Sequence, residues 1–211
     1  RAGHRPPQSP LRRWRFAALC RAADLVVACN TTLAARARPH APRVEIVPTP
    51  VDVERYPRER SGRSPGRTLV WIGMPENLRY LELVRPALVR LAAEFRDLTM
   101  RLVSSGTPPW ADVPVELVPW SEEGEVEALC SADIGIMPLF DDDWSNGKCA
   151  FKIIQYMAAG LPCVASRTAM NCEVVSHGHN GFLASTTSEW EDRLRTLLIA
   201  DDRASGILVF Q

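Results

Sequence analysis

Asp133-Ile-Gly-Ile-Met-Pro-Leu-Phe-Asp-Asp-Asp-Trp-Ser-Asn-Gly-Lys-Cys-Ala-Phe-Lys-Ile-Ile-Gln-Tyr-Met-Ala-Ala-Gly-Leu-Pro162 reads as a buried strand ending at Met137, a polar loop, and a helix over about Ala150 to Ala159. In open α/β sheets ligands bind beyond the carboxyl ends of the strands, so this loop and helix start are where a ligand is expected. Lys148, Lys152, Gln155 and Ala159 fall at i, i+4, i+7 and i+11, one stripe of a helix. Phe151, Ile154 and Ala158 form a second stripe, expected to face the sheet. Two cations around a first helical turn oppose the helix dipole, at a cost of up to about 1 kcal/mol, and an anion between them removes the conflict. The chain holds 23 Arg but only two Lys, both of them here, four residues apart. A compact ammonium that meets phosphate as a point charge explains why Arg does not stand in these places. The competing account is two solvated lysines on an exposed helix.

Outward from this stretch, strands are expected at Thr68–Gly73, Leu98–Ser104, Val113–Val118 and Leu161–Ala165. Helices are expected over about Asn77–Arg96, with Leu81, Val84, Leu88 and Leu91 at helical spacing, and over about Ser121–Ser131. Strands alternating with helices imply an α/β fold with a parallel, doubly wound sheet. The front of the chain reads helix (Trp14–Ala23), strand (Asp24–Cys29), helix (Thr31–Arg38, capped by Asn30 or Thr31) and strand (Val44–Pro48), the tail of another α/β domain. Prolines 48, 50, 57 and 65, Gly62 and the charged run Arg55 to Arg60 mark a connector between them. The expected division is a remnant domain at 1–50, a linker at 51–67 and a second domain at 68–211.

No apolar run reaches the roughly 18 residues of a membrane span, and Arg1 to Pro10 lacks the apolar core of a signal peptide. The chain starts without Met and ends at Ile207-Leu-Val-Phe-Gln211 with neither cap nor polar tail, so both ends are expected to be cuts in a longer protein. Net charge is zero, but residues 1–67 hold 14 Arg against 5 acids, and residues 68–211 hold 11 basic residues against 20 acids. A basic segment beside an acidic domain suits peripheral contact with a membrane surface or an anionic carrier; a solvated Arg-rich helix is the alternative. No nucleic-acid partner is expected. Cysteines 20, 29, 130, 149, 163 and 172 form no C-x-x-C pair and have no His at zinc-site spacing, so they read as reduced core thiols of a cytoplasmic protein.

Lys148-Cys-Ala-Phe-Lys-Ile-Ile-Gln-Tyr-Met-Ala-Ala-Gly-Leu-Pro-Cys-Val-Ala-Ser166 resembles the donor-site helix and following strand of the GT-B glycosyltransferases of family 4. Asn171-Cys-Glu-Val-Val-Ser-His-Gly-His-Asn-Gly-Phe-Leu-Ala184 is similar to the next family block, and Val70-Trp-Ile-Gly73 to the first strand of the donor domain. Ala23 to Asn30 with Val47 to Asp52 resembles the end of the amino-terminal domain and the crossing between domains. The likeness runs from Phe16 to about Leu198. It implies a Rossmann-like donor domain with a remnant of a second Rossmann-like domain. It also implies transfer, with anomeric configuration retained, of a sugar from a UDP- or GDP-linked donor to a sugar, lipid-linked or protein acceptor.

On that likeness Lys148 or Lys152 holds the diphosphate and offsets charge on the departing group. Gln155 takes the place of a glutamate that binds ribose hydroxyls, and Trp120 lies near the base, with a buried core Trp as its alternative. The family's pair of glutamates eight residues apart is absent, with Gly147 and Gln155 in their places. The sugar contacts are therefore sought among Asp141 to Asp143, Asn171 and Glu173. No metal and no tightly bound cofactor is implied; the nucleotide-diphosphate sugar is a substrate. The cytoplasm, with the inner face of the membrane for the basic segment, is the implied location.

Four other readings compete. Asp141-Asp142-Asp143 has the Asp-x-Asp spacing that holds Mg²⁺ or Mn²⁺ elsewhere, against a solvated acidic loop. A dinucleotide oxidoreductase wants G-x-G-x-x-G after its first strand, which Gly73-Met-Pro-Glu-Asn-Leu78 does not supply. A sugar-nucleotide epimerase of the same architecture, or a module that binds the nucleotide sugar without transferring it, remains open. His177 and His179 are read as part of a Gly/Asn turn leading into strand Phe182–Ala184 and not as ligands.

Overall fold

The computed structural model describes residues 10–57 and 67–202. The chain divides into two compact units, with the boundary between Thr49 and Pro50 and with Gly147–Cys149 grouped with the first. Of the expected linker, Val53–Arg55 is a single 3-10 turn capped by the Asp52 side chain, and 58–66 lie outside the described residues, as do Arg1, Arg5 and the end at 207–211.

The first unit holds helices α1 (Pro10–Ala22) and α2 (Thr31–Ala37) and strands β1 (Val26–Ala28) and β2 (Val44–Ile46), which pair in parallel. Asn30 is the cap: its Oδ1 accepts from the Leu33 amide at 2.7 Å, satisfying one of the donors a helix start leaves over. α1 buries Ala17 and Cys20 and exposes Leu11, Trp14 and Leu19.

The second unit is built on strands β3 (Arg67–Ile72), β4 (Leu98–Val103), β5 (Val115–Val118), β6 (Ile134–Met137), β7 (Cys163–Ser166) and β8 (Phe182–Ala184). They form one sheet in the order β5-β4-β3-β6-β7-β8 with every pair parallel. Counted from β3, the order is 3-2-1-4-5-6, the doubly wound Rossmann-like arrangement whose direction reverses between β3 and β6. Alternate residues of β3 serve two cores. Val70 and Ile72 join Leu129 of α4 (Glu122–Cys130) and Ile153 and Tyr156 of α5 (Phe151–Ala158). Leu69 and Trp71 join Leu88 and Leu91 of α3 (Arg85–Glu94) and Leu194 of α7 (Thr187–Asp202). A sheet covered on both faces explains the continuous apolar runs.

Two polar pins set the sheet. The buried Asp133 carboxylate accepts from the Thr68 amide at 2.7 Å while its own amide donates to the Thr68 carbonyl at 2.9 Å, fixing the register of β3 against β6. Arg101, 6% exposed, reaches the Ala128 carbonyl and Ser131 Oγ at the end of α4 and pairs with Glu116 at 2.8 Å. A cation at a helix carboxyl end suits the dipole, and its buried charge is compensated.

Three expectations are corrected. The single helix over Asn77–Arg96 is a 3-10 run, Pro75–Leu83, followed by α3. Pro86 has no amide hydrogen and crowds the carbonyl four residues back, so the helix restarts with proline in its first turn. The stripe of α5 that faces the sheet is Ile153 and Tyr156, whereas Phe151 is 39% exposed and Ile154 and Ala158 are half-buried. Cys20, Cys130 and Cys163 are buried, but Cys29 and Cys149 are half-buried and Cys172 is exposed, so the reading as core thiols fails at Cys172; the six form no disulfide with one another. Burial pushes the Cys163 thiol up to about 12.

Candidate functional site

The carboxyl ends of β3 and β6 border the point where strand order reverses. β3 runs on into Gly73, whose amide donates to the Val103 carbonyl at 3.1 Å. A Cβ on Gly73 would stand 2.3 Å from the Trp71 ring, so the backbone passes under an indole only because no side chain intervenes. After β6, the Leu139 amide donates to Ser166 Oγ at 2.8 Å, tying the exit of β6 to the end of β7.

The acidic loop that follows is spent on its own shape. Asp142 Oδ1 accepts from the Ser145 amide at 2.7 Å, and Asp141 Oδ1 accepts from Asn146 Nδ2 at 3.0 Å. Asn146 Oδ1 in turn accepts from the Ala169 amide at 3.0 Å, at the start of α6 (Ala169–Val174). Among the described residues no group of three His, Cys, Asp or Glu side chains is placed to hold a metal ion.

The chain then reaches Ala150, a buried non-glycine residue at φ 52°. That left-handed conformation costs an L-residue about 1–2 kcal/mol and sits at the threshold of α5, where such strain characteristically marks a functional turn. It also corrects the helical stripe: α5 begins at Phe151, so Lys148 lies outside the helix and its spacing to Lys152 is not an i, i+4 relation on one face. Lys148 groups with the first unit, where its carbonyl accepts from Asn30 Nδ2 at 2.9 Å. Gly147, the other residue standing where the family has a glutamate, would meet only Leu33 Cδ2 at 3.5 Å if it carried a Cβ, an ordinary contact. Sterics do not dictate glycine there.

Lys152, in the first turn of α5, puts its Nζ 6.0 Å from the centroid of the Trp71 ring, over the carboxyl end of β3. That is the outer limit of a cation–π contact, and it brings the ammonium to the reversal point. α5 has no side-chain cap and no acid in its first turn, so the positive end of its dipole and Lys152 favour an anion together.

Gln155, one turn further along, is 4% exposed. Its Nε2 donates to Glu125 Oε1 of α4, and Glu125 Oε2 accepts from Trp120 Nε1 at 2.6 Å. Trp120 follows β5 and is 59% exposed, which excludes the buried-core alternative. Tyr56, buried beside them, is hydrogen-bonded to Gln155; burial pushes its phenol up from its ordinary value and that bond pulls it back. Glu125, Tyr56 and Trp71 escaped the sequence reading. Glu125 is one of four acids in Glu122 to Glu127, and nothing in that run distinguishes the one that turns inward.

Asn171 is 1% exposed, and its Nδ2 donates to the Ser166 carbonyl at 2.8 Å, so that hydrogen bond ties α6 to the end of β7. Glu173 is on the exposed side of α6. His177 Nδ1 accepts from the Leu183 amide at 2.9 Å with its ring edge-on to Phe182, which makes it part of the turn into β8. Desolvation of the ring, then Arg193 and Arg167, lower its pKa from 6.5. A base with a lowered folded-state pKa contributes stability that is complete above its unfolded value and is lost as pH falls through that value toward the folded one. Hydrogen exchange of the Leu183 amide, corrected for its intrinsic rate, is therefore expected to accelerate as pH drops from about 7 to about 5. A pH-independent protection factor would show that the imidazole is not its acceptor.

A six-stranded parallel sheet in this order, with a lysine-bearing helix opening at its reversal point, defines the class: a GT-B-type Rossmann-like domain. Residues 66–200 match the family model for glycosyl transferases group 1, more than half of the chain, and the chain belongs to that family. No curated protein matches it. Among solved structures it is similar to sucrose-phosphate synthase from Thermosynechococcus elongatus, with TM-score 0.68 and 14% identity over 94% of this chain and 55% of that one. HepE from Anabaena, solved in complex with UDP-glucose, gives TM-score 0.66 and 16% identity over 92% and 59%. TarM gives TM-score 0.72 and 9% identity over 96% and 42%. The chain thus spans between 42% and 59% of the length of these structures. Among the described residues no helix is long and apolar enough to cross a membrane.

Proposed function

We propose that this chain is the nucleotide-sugar-binding part of a retaining glycosyltransferase, transferring a sugar from a UDP- or GDP-linked donor to an acceptor. The observation that carries the reading is Lys152, whose ammonium overhangs the carboxyl end of β3 where the strand order reverses. A donor diphosphate there meets a positive side chain and the open amino end of α5 at once. As the sugar leaves, charge builds on the distal phosphate, and a cation already in place stabilises it without reorganising. Ala150 sets the entry angle of α5 and so the position of Lys152. Lys148 remains a second candidate from the sequence, and Trp120, Gln155, Asn171 and Glu173 are the proposed surroundings of the donor. HepE in complex with UDP-glucose supports a UDP-linked donor as the first to try.

Melting curves with UDP- and GDP-sugars test this. At about a hundredfold excess over Kd, the cognate donor is expected to raise the melting temperature by roughly 5–10 °C. No shift with either nucleotide overturns the reading. Gly147 and Gln155, standing where the family has its two glutamates, favour one rival, binding without transfer, which sugar release by a longer form of the protein separates from catalysis. Donor turnover without any acceptor would instead indicate an epimerase of the same architecture.

A further inference from the structure

Helix α5 carries no carboxylate of its own, yet one stands beside it. Glu125 reaches in from the first turn of α4 and uses both oxygens: Oε1 accepts from Gln155 Nε2 and Oε2 from Trp120 Nε1 at 2.6 Å. A carboxylate offers roughly four lone-pair positions, so these two donors hold it in place and leave about two acceptor positions. The residue is half-buried, not sealed, and the indole beside it is 59% exposed. A fixed anion with spare acceptor positions next to an uncovered aromatic face is matched by a ligand with two adjacent O–H donors and a flat ring.

The layout gives that ligand an orientation. Lys152 lies over the end of β3, Gln155 is one helical turn further along α5, Glu125 bonds Gln155 from α4, and Trp120 follows β5. In the order β5-β4-β3, Trp120 is two strands from Lys152's position, roughly 10 Å at the usual strand spacing. Read from β3 outward, the sheet's carboxyl edge presents a cation, then a carboxylate, then an aromatic plate. A nucleoside diphosphate presents phosphates, vicinal hydroxyls and a base in the same sequence, and carboxylates elsewhere accept ribose hydroxyls in this way.

We propose that Glu125 is the hydroxyl-binding carboxylate of the nucleotide site, accepting the 2′- and 3′-hydroxyls of the donor's ribose while the exposed face of Trp120 receives the base. Gln155 then serves as a positioning residue: buried, and bonded to Tyr56, it aims the Glu125 carboxylate outward. The inference rests on the nucleotide-sugar reading above and adds the residue that recognises ribose.

Calorimetry on the full chain tests it with UDP and GDP, each against its 2′-deoxy counterpart. The wild-type chain is expected to prefer the ribonucleotide roughly tenfold. Glu125→Gln, which keeps the shape but removes the charge, is expected to bring the two forms within about twofold of each other. Lys152→Ala is expected to weaken both forms in equal proportion. Retention of the full ribose preference by Glu125→Gln overturns this inference, even where Lys152→Ala still weakens binding and the nucleotide reading stands. Failure of the wild-type chain to bind either nucleotide overturns both. A readout that needs no substitution at Glu125 is the indole N–H resonance of Trp120, assigned by its loss in Trp120→Phe. It is expected to move with UDP or GDP and not with inorganic pyrophosphate, and a resonance unmoved by either nucleotide also overturns the inference.

Discussion

Lys152→Ala is expected to lower the affinity of the chain for its nucleotide diphosphate by about ten- to a hundredfold, with little loss of thermal stability. A hydrogen bond to a charged group contributes about 1.5–3 kcal/mol, and each 1.4 kcal/mol is a factor of about ten in Kd. Stability is largely spared because the cation–π contact that Lys152 gives up to Trp71 lies at its outer limit, and its loss is offset by removing a cation that opposes the dipole in the first turn of α5. Lys152→Arg is expected to recover only part of the affinity. The ammonium stands 6.0 Å from the Trp71 ring above a backbone that admits no side chain at Gly73, and a planar guanidinium must find another place there. Calorimetric titration of the three proteins with the same nucleotide decides the matter. Equal affinities would move the anion site away from α5.

The second large effect concerns the seat of that helix. A Cβ on Gly135 of β6 would stand 2.4 Å from Cδ2 of Tyr156, the ring with which α5 rests on the sheet. Backbone and ring must shift together, because Tyr156 is fully buried and its hydroxyl donates to the Ile136 carbonyl at 3.1 Å. Gly135→Ala is expected to destabilise the chain by about 1–3 kcal/mol, the usual cost of overpacking, and Gly135→Val by more. Urea unfolding measures the loss. Pairing Gly135→Ala with Tyr156→Leu is expected to recover part of it, since the leucine vacates the space, and strictly additive losses would show that the two positions do not meet. Because α5 carries Lys152 and Gln155, the single variant is expected to bind nucleotide less well too, even though it touches no ligand.

The element pattern was legible because parallel strands covered on both faces read as short apolar runs, and those of β3, β4, β6 and β7 are bounded by turn residues. Boundaries moved where proline intervened: β5 starts at Val115 after Pro114, β7 at Cys163 after Pro162, and Pro86 divides the helix expected over Asn77–Arg96. The facing of α5 differs from the expected Phe151, Ile154 and Ala158 stripe because large side chains at Phe151, Ile153, Ile154 and Tyr156 leave spacing alone unable to choose the buried face. The sheet instead takes the tyrosine, whose ring fits over Gly135 and whose hydroxyl finds a carbonyl. The i, i+4 spacing of Lys148 and Lys152 assumed a helix continuous across Ala150, and a left-handed backbone at that residue breaks the periodicity.

By itself the order of residues determined the doubly wound class, the placement of the Lys148 to Pro162 stretch at a strand's carboxyl end, and family membership. Each of these depends on local periodicity and on contiguous residues. Only the tertiary structure decided that Lys152 overhangs β3 and that Glu125, thirty positions from Gln155, is the carboxylate beside it. A hydrogen bond between two helices is set by how each packs on a shared sheet, and four neighbouring acids look alike until that packing turns one of them inward.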